Sequence, residues 1–334
     1  MKTGILLVNL GTPDSPSVPD VRKYLREFLS DPRVIDINPV SRFMLVNFII
    51  APIRAPKSAK LYREVWTKNG SPLLWYTSLQ AKLLQEKLGN KYEVKFAMRY
   101  QSPSIESVLN SFDFKSVNKI KVIPLFPQYA SASTGSVYEE IMRITSTWQI
   151  TPSIEFVRSF AEDEGFIHAF AEIGKKHQPE NYDHVLFSYH GLPERQIKKA
   201  DAYNYCLTNQ CCESAGEAQR SCYRAQCFKT TKLLAAKLNI HDSKYTICFQ
   251  SRLGRSAWIQ PFTDEVLRDL GSKKIKRLLV FSPAFTSDCL ETIQEIGVEY
   301  KKIFRDSGGE ELTLVESLND SPAWIDALAG LATA

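Results

Sequence analysis

Eight short, nearly unbroken apolar runs separated by stretches of helical spacing constrain this chain more than any other feature. The runs are 5–10 (ILLVNL), 93–100 (EVKFAMRY), 119–126 (KIKVIPLF), 153–158 (SIEFVR), 184–190 (HVLFSYH), 245–251 (YTICFQS), 277–283 (RLLVFSP) and 311–316 (ELTLVE). A strand with one wet face alternates apolar and polar residues, whereas a strand covered by helices on both faces is apolar almost throughout. The intervening segments read as those helices: Ser17 to Leu29 opens with Ser and Pro19 and sets Val18, Val21, Leu25, Phe28 and Leu29 on one face. Strands alternating with helices in this way predict an α/β protein with parallel sheets.

The two halves of the chain also resemble each other. ILLVNLGTP at 5–13 matches VLFSYHGLP at 185–193 in pattern, EVKFAMRYQSPS at 93–104 matches YTICFQSRLGRS at 245–256, and KIKVIPLFPQYAS at 119–131 matches IKRLLVFSPAFTSD at 275–288. Three correspondences in one order predict two similar Rossmann-like domains, which a length of 334 residues independently allows. The expected boundaries are 1–155 for the first domain, 156–310 for the second, and 311–334 for a closing segment that packs back on the first. Ligands of open α/β sheets lie beyond the carboxyl ends of the strands, so a cleft faced by both sets of strand ends is the expected site.

A net charge of +5, from 42 basic and 37 acidic residues, is too small and too evenly spread to argue for nucleic acid. The opening MKTGILLVNLG lacks the apolar stretch of a secretory signal and runs directly into a strand pattern, which reads as a cytoplasmic chain with reduced thiols. The longest apolar stretch, around residues 42–54, is far short of the roughly 20 residues that span a bilayer, and Pro52 interrupts it. Bounded by Arg42 and Arg54, it reads either as a core helix or as a lip lying on a membrane surface.

Several side chains fall where strands end. His190 closes the fifth run and precedes Gly191, a position suited to a general base or, equally, to a histidine that caps its own loop. Asp288, Glu291, Glu295 and Glu299 recur at helical spacing after the seventh run and are expected to share one helix face. Like charges so placed repel, so a carboxylate ridge calls for divalent cations or basic residues as partners, unless it is simply a solvated acidic face. Arg99, Tyr100 and the hydroxyl-rich loop 127–136 follow strands of the first half, and Trp258 follows the sixth run. There is no GxxxxGK[ST] or GxGxxG to support nucleotide binding.

Five of the seven cysteines lie between Cys206 and Cys227. Cys206 with Cys211 and Cys222 with Cys227 form two Cys-x4-Cys units, and Cys212 can replace Cys211. In a reducing compartment, four paired thiolates ask for an iron–sulfur cluster or structural zinc. Cys248 and Cys289 read as buried small hydrophobes.

Together LLVNLGTPDSP, YLREFLSDPRV, GSPL at 70–73, PQYASASTGS, SYHGLPER, FQSRLGRSAWIQPFTDE and SPAFTSDCLETIQEI resemble the ferrochelatase family, in order and over nearly the full chain. The resemblance implies a chelatase fold of two four-stranded parallel sheets and the insertion of ferrous iron into protoporphyrin IX. It places the catalytic histidine on His190 and its acidic partner on Glu291, both as ligands of the ferrous substrate, and an acidic ridge on Asp288, Glu295 and Glu299. Leu10, Arg99, Tyr100, Tyr129, Ser136 and Trp258 match residues that hold or face the macrocycle. Segment 42–54 matches an apolar lip, implying peripheral contact with the cytoplasmic face of the inner membrane by a monomer or homodimer.

Relatives with a [2Fe–2S] cluster often take one cysteine from the loop matching 127–136, where this chain has Ser131, and three from a carboxyl-terminal extension. Here no cysteine follows Cys289, and the cysteine-rich insert 206–227 implies an internally ligated cluster instead. The segments LGTP at 10–13 and DCLETIQEI resemble protoporphyrin-using more than coproporphyrin-using enzymes. The alternatives are a coproporphyrin III ferrochelatase, a chelatase for another metal or tetrapyrrole, and a non-catalytic porphyrin-binding iron–sulfur sensor.

Overall fold

A computed structural model describes the chain apart from residues 209, 210, 213–219, 253 and 255. Among the described residues each of the eight apolar runs forms a strand. The first sheet contains β1 (Lys2–Gly11), β2 (Tyr92–Tyr100), β3 (Val117–Pro124) and β4 (Ser153–Phe156) in the order β2-β1-β3-β4. The second contains β5 (His184–His190), β6 (Tyr245–Gln250), β7 (Arg277–Phe281) and β8 (Glu311–Leu314) in the order β6-β5-β7-β8. All neighbouring pairs are parallel. The three internal correspondences are therefore β1 with β5, β2 with β6 and β3 with β7, each pair holding the same place in its sheet.

Burial on both faces explains the unbroken apolar runs. Ile5, Leu6, Leu7 and Val8 of β1 are fully buried, although neighbours in a strand point to opposite faces. In the second sheet Leu186, Cys248, Leu278 and Val280 pack with Leu267, Ile296 and Phe304 from the covering helices. Phe187 and Phe281 stack with centroids 5.1 Å apart. Each such side chain contributes about 1.5–3 kcal/mol through burial. The helix Val18–Ser30 forms one residue later than the sequence places it, because Ser17 is its cap and its side chain accepts from the Asp20 N–H. Val21, Tyr24, Leu25 and Leu29 are its buried side.

Strands end where the backbone can no longer extend. Ser251, expected as the last residue of β6, has φ +66 and leaves the sheet. Gly11 closes β1 at φ +122, opposite Tyr100 of β2, and a Cβ there would sit 2.1 Å from the Tyr100 carbonyl oxygen. Only glycine permits that approach, which draws the carboxyl ends of β1 and β2 together.

The chain divides into two compact units. One comprises Met1–Leu125, Ser131–Arg158 and Leu328–Ala334; the other comprises Phe126–Ala130 and Ser159–Ala327. Residues 311–334, expected as one segment packing on the first half, are thus split. β8 pairs with β7, the chain through Ala327 stays with the second unit, and Leu328–Ala334 alone groups with the first. There Lys121 Nζ donates to the carbonyl oxygen of Ala334 at 3.3 Å.

The apolar stretch of the first unit is helical, running through Pro39–Met44, a π-helical turn Leu45–Ile50 and Ala51–Val65. Val46 and Ala51 are buried, while Val40, Phe43, Met44, Phe48, Ile49 and Ile53 are each more than half exposed. No helix among the described residues is long and apolar enough to cross a membrane.

Candidate active site

In the second unit β5 delivers His190 half-buried at the end of the sheet. Its Nδ1 lies 2.7 Å from the carbonyl oxygen of Gly191. A carbonyl only accepts, so Nδ1 carries the proton and the neutral ring presents Nε2 as a lone-pair acceptor. The Gly191 N–H donates to the Gln250 carbonyl at 2.8 Å, and a Cβ on Gly191 would come within 2.8 Å of that same oxygen. The Phe285 ring lies edge-on to the imidazole at 6.5 Å. Trp258 is bridged to Pro193, and its ring edge borders Gly191.

Of the carboxylates expected to form an acidic ridge, Glu291, Glu295 and Glu299 lie on one helical element and Asp288 just before it. Residues Glu291–Tyr300 adopt a π-helix, a form concentrated at functional sites. Glu295 is largely buried in it and richly solvated by protein. Its carboxylate accepts from the Ser251 N–H (3.0 Å) and hydroxyl, from the Tyr300 hydroxyl (2.8 Å) and from the Gln250 amide (3.3 Å). Burial pushes its carboxyl above the ordinary carboxylate range, while the Ser251 and Tyr300 donors and His190 pull the other way. Glu291 is half-buried, and its main-chain carbonyl accepts from the Gln250 amide at 3.1 Å. Glu299 is exposed. Asp288 is engaged elsewhere: its short side chain stands where the main chain enters the helix and accepts from Asn319 Nδ2 (2.7 Å), Thr292 Oγ1 and the Ser317 N–H. It organises the helix start instead of extending a ridge.

In the first unit Arg99, Tyr100 and Ser136 converge on one carboxylate, that of Asp31. Arg99 Nη2 and the Tyr100 hydroxyl each lie 2.9 Å from Asp31 Oδ2, and the buried Ser136 hydroxyl donates to the same oxygen. Arg99 Nε also donates to Ser136 Oγ at 2.7 Å, and its guanidinium lies over the Tyr100 ring. Burial holds the Tyr100 phenol well above its ordinary pKa, so it remains a donor. Leu10 is half-buried beside Asn9, whose side chain accepts from the Leu10 N–H and donates to Thr77 Oγ1. Tyr129 belongs to the second unit, where its N–H donates to Gln226 Oε1 at 2.8 Å.

The structure therefore gathers His190, Trp258, Glu291 and Glu295 in one unit and Arg99, Tyr100 and Ser136 in the other. Asp31, Gln250, Ser251 and Tyr300 are further members that the sequence reading passes over. Asp31, between Ser30 and Pro32, has the look of an ordinary turn residue. Two further histidines of this unit are held by partners: His177 pairs with Glu316 at 2.6 Å, and His184 bonds Thr246 Oγ1 at 2.9 Å from within β5.

The cysteine segment regroups the expected thiols. Cys222 interacts with the thiols of Cys206 and Cys212, and Cys211 Sγ lies 3.8 Å from Cys212 Sγ. Cys227 is fully buried beside Tyr223. Cys212, expected as a replacement for Cys211, thus lies close to both Cys211 and Cys222. Among the described residues no group of three or more His, Cys, Asp or Glu side chains is arranged to hold a metal ion. Cys248 and Cys289 are buried, as their apolar surroundings lead one to expect.

Two four-stranded parallel sheets of the same strand order, with titratable groups at the strand ends, define the chelatase fold. The structure of SirB from Bacillus subtilis with Fe3+ shares this fold at a TM-score of 0.55 and 15% identity, covering 99% of this chain and 94% of that one. The chain belongs to the ferrochelatase family, whose sequence model matches residues 2–334. Ferrochelatase of Legionella pneumophila (strain Lens) is 44% identical over 331 residues, 99% of this chain and 98% of that protein. Ferrochelatase of Coxiella burnetii (strain Dugway 5J108-111) is 43% identical over 333 residues, 99% of this chain and 93% of that one.

A carboxyl whose folded pKa is raised stabilises the fold when protonated. That contribution is complete below the ordinary carboxylate pKa and is lost as pH rises through the folded value. Thermal melts of wild type and Glu295→Gln across pH 4–8 should show wild type losing ground to the variant as pH rises; a pH-independent difference contradicts the buried-carboxyl assignment.

Proposed function

We propose that this chain inserts ferrous iron into protoporphyrin IX, releasing two protons, with His190 as the base. The observation that carries the reading is the Gly191 carbonyl on His190 Nδ1, which leaves Nε2 free to accept a pyrrole proton. Metallation must strip two N–H protons from the ring, and an imidazole is the side chain suited to that exchange. Glu291 is the acidic partner and second donor toward the incoming iron. Glu295, held by Ser251 and Tyr300 and raised by burial, is poised to receive a proton that His190 passes on. Leu10, Arg99, Tyr100, Tyr129, Ser136 and Trp258 are the macrocycle contacts, with Asp31 fixing the guanidinium of Arg99. Strain in a bound, non-planar ring would expose the nitrogen lone pairs to the metal.

The exposed side chains Val40, Phe43, Met44, Phe48, Ile49 and Ile53 support a peripheral membrane contact at the cytoplasmic face, through which an apolar porphyrin enters and leaves. Cys206, Cys211, Cys222 and Cys227, with Cys212 able to replace Cys211, are the donors a [2Fe–2S] cluster would use, since its iron takes four thiolates; structural zinc asks for the same donors. In either case the group serves the cysteine segment's structure, since metallation has no redox step.

Anaerobic assays with ferrous iron, following loss of porphyrin fluorescence, should show turnover of protoporphyrin IX in preference to coproporphyrin III. His190→Ala should lower the rate by about 10²–10⁴-fold. Unchanged metallation by that variant sinks the assigned base, and preference for coproporphyrin sinks the substrate. The anaerobically purified protein is expected to carry visible absorbance and about two acid-labile sulfides per chain, both lost in Cys222→Ser. Zinc without sulfide would replace the cluster with a structural metal.

A further inference from the structure

The orientation of the His190 ring depends on two successive peptide units. Nδ1 is directed by the Gly191 carbonyl oxygen, which belongs to the Gly191–Leu192 peptide; that peptide is hinged at Gly191 on the His190–Gly191 peptide, so the hold on the first unit bears on the aim of the second. The planar His190–Gly191 unit is gripped at both edges. On one edge the Gly191 N–H donates to the Gln250 carbonyl at 2.8 Å, continuing the pairing of β5 with β6. The other edge faces the β7 side, where no strand reaches it: β5 pairs with β7 only as far as Phe187 opposite Phe281. Beyond that point side chains take over the carbonyls. The Ser282 hydroxyl donates to the Ser188 carbonyl at 3.1 Å, and the Tyr223 hydroxyl donates to the His190 carbonyl at 2.8 Å.

Tyr223 also belongs to the cysteine segment. It is buried, it opens the helix Tyr223–Lys237 directly after Cys222, which caps that helix, and its hydroxyl interacts with the Cys227 thiol one turn on. The next residue, Arg224, donates from Nη1 to Cys212 Sγ at 3.0 Å and from Nη2 to the Gln260 carbonyl at 3.2 Å, with its guanidinium over the Phe228 ring. Residues 222–224 are therefore tied to three cysteines on one side and to the His190 main chain on the other.

We propose that Tyr223 is a positioning residue for His190, and that through it the order of the cysteine segment sets the tautomer and aim of the imidazole. Loss of its hydroxyl leaves the His190 carbonyl unpaired and the His190–Gly191 peptide held at one edge only, so that the Gly191 carbonyl beyond it shifts against Nδ1 and the Nδ1–H and Nε2–H forms mix. The inference rests on His190 being the base proposed above.

The test is Tyr223→Phe, which keeps the ring and removes one oxygen. Nitrogen-15 histidine NMR of the porphyrin-free protein, with His190 assigned by its loss in His190→Ala, should show a protonated Nδ1 and bare Nε2 in wild type. In Tyr223→Phe and in Cys222→Ser it should show mixed tautomers. In the metallation assay Tyr223→Phe should lower kcat by about tenfold, the cost usual for removing the partner that orients a functional histidine, and shift the pH profile with little change in porphyrin KM. A wild-type His190 carrying its proton on Nε2 overturns the proposal without any variant. So does a folded Tyr223→Phe with the wild-type tautomer, kcat and pH profile. An unshifted resonance in Cys222→Ser overturns the coupling to the cysteines. A tautomer change in a wild-type protein that does not metallate porphyrin would count against the assigned reaction and leave the positioning role standing.

Discussion

In a parallel sheet covered on both faces, the main chain is hydrogen-bonded along its length and side chains alternate between two apolar layers, so titratable groups can be placed only where strands run out. Both sheets of this protein obey that constraint. β1 ends at Leu10 and Gly11 against Arg99 and Tyr100 of β2, and β5 ends at His190 against Gln250 of β6. The apolar strands thus do more than stabilise. They exclude polar groups from everywhere except a few end positions, and they fix those positions to the precision of a hydrogen-bonded ladder.

At these ends the protein replaces strand neighbours with side chains. Gln250 illustrates the device: its Oε1 accepts from the buried Ser188 hydroxyl while its amide reaches the Glu291 carbonyl and the Glu295 carboxylate. Ser251, forced to positive φ as the chain leaves β6, turns both its N–H and its hydroxyl onto Glu295. A backbone strain of this kind is sustained by the bonds it makes possible. In the first unit Asp31 plays the corresponding part, taking three donors from two elements onto one oxygen and leaving a buried pair that would be costly to break from either side.

How much of this the sequence reveals follows from what is local and what is not. The strands are legible because each is a short apolar run whose pattern reports burial on both faces, and the order of the runs repeats. His190 is legible because its strand and the glycine after it are contiguous. The partners of Glu295 are not: Ser251 and Tyr300 lie 44 and five residues away, and nothing in their own neighbourhoods marks them. Asp288 misleads for a related reason, since helical spacing puts it in register with Glu291 while Asn319 and Ser317, brought in by the fold, draw its carboxylate aside. The closing segment shows the same limit, because an apolar run such as 311–316 announces a strand but not which sheet receives it.

The account stands on His190 taking the protons that iron displaces from the porphyrin. Its most direct test is the stoichiometry and timing of proton release in a single turnover, followed with an indicator dye in weak buffer while porphyrin fluorescence reports metallation. The account predicts two protons per porphyrin metallated, released in step with the fluorescence change in wild type, with both signals slowed together in His190→Ala. Proton release that keeps its wild-type rate in that variant would contradict the assignment of His190 as the base.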